Sequence, residues 1–173
     1  MLFGLIVFAA IVLAVFLLAA TYNGLINATE RAASAWTELD ALLRQRHDEI
    51  PKLIGLCEPH LQRERAVFER VLAARIDVFG ARQTRAADVL SRAETTLRNE
   101  LAGLIALAAN NAELGASPAF GMLRQRNATL DAEIAERRAL YNDAVARYNA
   151  AIARLPGNVV ALLGGFRPLA ALD

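Results

Sequence analysis

The chain has 173 residues, carries 19 basic against 18 acidic side chains, and is 55% apolar with only 6% aromatic residues. That length holds one compact core once a membrane segment is set aside, and the excess of Ala and Leu favours close-packed helices over strands. The interleaved charges leave no basic face for a phosphate backbone, so nucleic acid is excluded as a partner; the lone cysteine, Cys57, excludes an intrachain disulfide and reads as a packed thiol.

Residues 2–20, LFGLIVFAAIVLAVFLLAA, hold no charge. At 1.5 Å per residue such a helix is about 28 Å long, enough to cross the hydrocarbon of a bilayer. No Lys or Arg precedes the run, and Leu18 stands where a signal peptidase needs a small residue, so residues 1–21 are expected to stay as an anchor rather than be cleaved. Arg31, Arg44 and Arg46 follow the span, a bias that favours a cytoplasmic body with the N-terminus outside. Gly4, Ala9, Ala10 and Ala14 allow close approach of two anchors, which leaves a homo-oligomer open.

Four helices are expected after the anchor, over 22–47, 48–79, 85–112 and 118–155. The first spaces Tyr22, Leu25, Ala32, Trp36, Leu39 and Leu43 by threes and fours, with Thr29 in the same register and Trp36 read as core. RQRHDEIP interrupts that pattern, and Asp48 with Pro51 reads as a cap and first-turn proline that start the second helix. Its stripe is Ile50, Ile54, Cys57, Leu61, Phe68 and Val71, with Glu64 and Arg75 at seam positions, and Pro59 predicts a kink near Leu56. The third carries Leu90, Leu97, Leu101, Leu104 and Ala108, and stops at Asn110-Asn111 before Gly115, Ser117 and Pro118. The fourth keeps Leu123, Asn127, Leu130, Ile134, Arg137, Tyr141, Val145, Tyr148, Ile152 and Leu155 in register until Pro156-Gly157-Asn158. The expected fold is all-α: an N-terminal transmembrane helix, then an antiparallel, coiled-coil-like four-helix bundle over 22–156. Up-down-up-down order returns the last helix to the membrane, where the apolar tail 157–173 emerges.

Two sets of residues stand out. Glu64, Arg75 and Arg137 are expected to meet as an interior charge cluster, read as a salt bridge that fixes helix register rather than as a catalytic group. Val159, Val160, Leu162, Leu163, Phe166 and Arg167 would either enter the lipid interface or cap the open end of the bundle. His47 and His60 have no second ligand at helical spacing and read as solvated. Glu-x-x-His pairs, phosphate loops and nucleophile elbows are missing from the sequence, so no metal, cofactor or enzymatic activity is expected.

Residues 22–56, YNGLINATERAASAWTELDALLRQRHDEIPKLIGL, and 137–168, RRALYNDAVARYNAAIARLPGNVVALLGGFRP, resemble the LemA family of bacterial membrane proteins. The anchor, the AW and LD pairs, the basic segment before Ile50-Pro51, the YNDAV-x-x-YN run and the LPGN turn stand in the family's order. The resemblance implies one membrane helix followed by a four-helix bundle in a bacterial cell membrane, and it brings no catalytic residues. The chain departs from the pattern at Glu58-Pro59-His60, in place of a Gly-aromatic pair, and at its end, Pro168–Asp173, in place of an acidic and aromatic one. The expected role is a non-enzymatic scaffold or interaction module whose partners are the bilayer and an unidentified protein. The alternative is direct membrane shaping through oligomerisation and an interfacial tail.

Overall fold

A computed structural model describes residues 2–84 and 86–172. Among them are six helices and no strand: α1 (Leu2–Cys57), α2 (Arg65–Thr84), α3 (Ala87–Asn110), α4 (Ala112–Gly115), α5 (Pro118–Ala153) and α6 (Gly157–Gly164). The chain divides into two compact units, a first of Met1–Thr37 with Ala139–Ala171 and a second of Glu38–Arg138 with Leu172–Asp173.

Helix α1 corrects the expected division at Asp48, because it continues through Pro51 to Cys57. A proline N–H is missing inside a helix, and here the carbonyl left without its donor is that of His47. The Nε of Arg75 on α2 donates to that oxygen at 3.1 Å, so the helix passes the proline with its backbone acceptor satisfied. The break falls at 58–64 instead. Pro59 disfavours helical geometry at Glu58, and backbone bonds from Leu61 to Cys57 and from Glu64 to Leu61 close the connecting turns. The expected kink near Leu56 is therefore a helix end.

In the second unit, α1 buries Leu39, Leu43, Ile50, Leu53 and Cys57. Helix α3 buries Leu90, Leu97, Leu101, Leu104 and Ala108, as its spacing predicts, and packs along α2. Asn111 ends α3 and its Oδ1 accepts the N–H groups of Glu113 and Leu114 at 3.1 Å, starting α4. Polar partners fix the directions of neighbouring segments. Asp40 pairs with Arg82 and His47 with Arg75, while Glu38 pairs with Arg137 and Arg46 with Asp131. Partner numbers rise along α1 as they fall along α2 and α5.

In the first unit, residues 2–20 of α1 are exposed throughout, and this stretch is long and apolar enough to cross a membrane. The hydroxyl of Thr21 is satisfied within the helix, donating to the Leu17 carbonyl at 2.7 Å. Farther on, Leu25 packs with Val160 and Ala161 of α6, joined by Ala151, Ile152 and Phe166. Helix α5 ends at Ala153, short of the expected Leu155. Gly157 then lets α6 approach it, since a Cβ there would sit 2.0 Å from the Ala151 carbonyl oxygen. Gly165 closes α6 in the left-handed conformation at φ 72°, where a side chain is strained.

Candidate functional site

The buried charge of the second unit is Arg46, 3% exposed. Its Nη1 donates to Asp131 Oδ1 at 2.7 Å and its guanidinium also pairs with Glu94, while Asn127 Nδ2 donates to the other Asp131 oxygen at 3.3 Å. Three segments, α1, α3 and α5, thus meet through one cation and two carboxylates. Burial pulls the Arg46 pKa below its ordinary value, opposed by Asp131; a guanidinium nevertheless stays protonated, so the triad keeps its charges at neutral pH. A cavity of about 50 Å³ beside it is lined by Leu39, Glu94, Asp131, Ile134 and Leu172, with room for water rather than for a substrate.

The predicted cluster of Glu64, Arg75 and Arg137 does not assemble. Glu64 is exposed in the turn before α2, Arg75 serves the His47 carbonyl, and Arg137 makes a half-exposed pair with Glu38 at 3.0 Å. The signal for the true triad is present in the spacing. Position 46 continues the series Leu39, Leu43, Ile50, Leu53, and position 94 fills the step between Leu90 and Leu97. Breaking the helix at Asp48 hides the first of these.

His47 is not solvated as expected. Its ring lies 5.9 Å from that of Phe79, and its Nδ1 is buried without a hydrogen-bond partner. Burial and the nearby Arg75 charge lower its pKa. His60 pairs with Glu113 at 2.8 Å, tying the 58–64 turn to α4. Cys57 is fully buried, which raises its thiol pKa. Among the described residues no group of three His, Cys, Asp or Glu side chains converges where a metal would sit.

In the first unit, Tyr141, Tyr148 and Asn149 of α5 hold the chain after α6. Tyr141 and Tyr148 are two helical turns apart and so lie on one face. The Tyr141 hydroxyl donates to the Ala170 carbonyl at 3.0 Å, and that of Tyr148 to the Arg167 carbonyl at 2.9 Å. Asn149 grips Leu169 from both sides, donating to its carbonyl at 2.8 Å and accepting its N–H at 2.9 Å. Trp36 packs on the Tyr141 ring, centroids 5.5 Å apart, and burial raises the Tyr141 pKa. This clamp gives Tyr141 and the Tyr148-Asn149 pair a physical role that periodicity alone does not reveal.

The predicted tail residues divide between two faces. Val160 is buried and Phe166 half-buried, its ring edge-on to Tyr22 with centroids 5.7 Å apart. Leu162 and Leu163 are 84% and 80% exposed, Val159 is exposed beside them, and Arg167 is exposed while its carbonyl is held by Tyr148.

Comparison with curated proteins finds no match for this chain. The sequence model of the LemA family matches residues 35–173. That span holds the clamp, α6 and all three members of the buried triad, and the protein belongs to the LemA family.

Proposed function

We propose that the protein is a membrane-anchored, non-enzymatic scaffold whose α1, α2, α3 and α5 segments form an antiparallel four-helix bundle at a bacterial cell membrane. The observation that carries this reading is the uncharged, wholly exposed stretch of residues 2–20, continuous with a helical body through α1. An exposed apolar run of that length is stable where lipid surrounds it. The body is held by buried charge and by side-chain bonds to the backbone, which suit a fixed platform better than a reacting centre. Leu72, Ile76 and Phe79 give α2 an exposed apolar stripe, at helical spacing, for a protein partner.

Two measurements test it. Alkaline carbonate extraction of membranes should leave the full chain in the pellet, and release into the supernatant overturns the anchor. Photocrosslinking in intact cells from Ile76 should give a reproducible discrete adduct, and its absence from this and other exposed positions on the body overturns the scaffold. A second reading, membrane organisation by many copies, is favoured by the exposed leucines of α6 and by Gly4 and Ala14 in the anchor.

A further inference from the structure

Helix α6 is apolar on both of its faces. At 3.6 residues per turn, Gly157, Val160 and Ala161 fall on one side and Val159, Leu162 and Leu163 on the other, with Asn158 the single polar side chain between Gly157 and Gly164. The first side is buried against Leu25. The second is exposed, and Leu155, 78% exposed in the preceding turn, extends it. A helix that is hydrophobic all round needs an apolar neighbour on every side.

The place of α6 along α1 identifies that neighbour. Tyr22, against which Phe166 packs, lies two residues beyond the apolar run, and Leu25 five residues beyond it. Those are rises of about 3 and 8 Å. The headgroup layer on each side of a hydrocarbon core is about 5–7 Å deep, so α6 sits at that level once residues 2–20 span the bilayer. The charges agree with it. Arg147 pairs with Asp143 at 2.8 Å; from Tyr148 to Leu172 the chain holds Arg154 and Arg167 and no acidic residue, and both arginines, exposed, flank α6. Arginines beside an apolar helix favour anionic headgroups over neutral ones.

We infer that α6 is a second membrane contact, an interfacial helix whose Leu155, Val159, Leu162 and Leu163 lie in the acyl boundary of an anionic leaflet while Arg154 and Arg167 meet its phosphates. This rests on the anchor reading of residues 2–20. The anchor fixes where the chain attaches; α6, seated on the same stretch of α1, makes the exit from the bilayer a two-helix contact.

Tryptophan quenching by brominated lipid tests both parts. The full chain carrying Trp36→Phe, which removes its single tryptophan, is placed in vesicles of phosphatidylcholine with phosphatidylglycerol, the lipids brominated near the top of the acyl chain. A probe is added as Leu163→Trp or, in a separate chain, as Phe16→Trp within the span. Both probe positions are exposed, so neither substitution disturbs packing, and Leu162→Trp repeats the α6 measurement independently. The expected result is a loss of emission at Leu163→Trp comparable with that at Phe16→Trp, and smaller at Leu163→Trp in neutral vesicles. Quenching at Phe16→Trp with none at either α6 probe overturns the interfacial helix and leaves the anchor. If those unquenched probes are also shielded from acrylamide, a second protein copy covers the face instead of lipid. No quenching at any position overturns the anchor, and the interfacial helix with it. Equal quenching in neutral vesicles overturns the preference for anionic lipid.

Discussion

Arg46 gives up its hydration to enter the core; two carboxylates compensate its charge, while its Nε is left without a hydrogen-bond partner. Breaking such a pair costs more than the pair contributes, because it leaves charge buried without compensation. Arg46→Met leaves Glu94 and Asp131 facing each other, and the expected loss is about 3–5 kcal/mol in a denaturant titration. Arg137→Met removes a pair that is half exposed on both sides and should cost less than about 1 kcal/mol. Equal losses in the two variants would show that the triad is not the interior charge of the molecule. His47 acts through pH. Its folded pKa is lowered, so the unfolded chain takes up a proton first as pH falls below about 6.5. Stability is therefore full above that pH and declines below it, levelling once pH passes the lower folded value. The midpoint of urea unfolding should fall between pH 7.5 and the mid-acid range, and His47→Phe, which keeps a ring against Phe79, should show a shallower fall. Parallel curves would remove His47 as the cause.

Pro51 and Arg75 belong to the scale of the element, because α1 stays continuous only if the orphaned His47 carbonyl finds a donor. Arg75→Ala should cost about 1 kcal/mol, since a part-buried acceptor loses its donor. In a Pro51→Ala background the helix supplies its own N–H, so the same substitution should cost little. A double-mutant cycle with no coupling would mean that Arg75 does not repair the proline. The α5 clamp permits a similar test on the tail. Asn149→Ala removes both bonds to Leu169 and should speed amide exchange from Phe166 to Ala171 while leaving α3 protected; unchanged exchange there would show that the tail is held by something else. These elements differ in how far the sequence exposes them. The stripe of α3 is legible outright, because neither Pro nor an ambiguous cap interrupts it. The end of α1 is misread because Asp48 and Pro51 satisfy a local start rule, while the compensating donor comes from Arg75, 24 positions after Pro51. The clamp leaves no periodic trace either: Asn149 bonds to the backbone of Leu169, and backbone partners have no sequence signature. Glu94 is readable as a charged step in the α3 series, and Arg46 as one in the α1 series only once α1 is known to be unbroken.

At the scale of the whole molecule, the exposed apolar stretch and the packed parts make separate contributions. Residues 2–20 are exposed along their whole length, so removing them deletes no buried contact and should leave the unfolding free energy of the remainder unchanged within about 0.5 kcal/mol, and its midpoint with it. The outward face of α6 remains in that shortened chain, and exposed leucines side by side drive association in water. The chain of residues 22–173 should therefore elute above monomer mass in size-exclusion chromatography with light scattering. Leu162→Glu with Leu163→Glu should return it to monomer without moving the midpoint, because both side chains lie outside the core. A shortened chain that is already monomeric would mean that the α6 face is too small to associate. A midpoint that falls on removing residues 2–20 would mean that this stretch supports the packed parts. The two readouts are independent, so association through the α6 face and internal stability are tested separately in one protein.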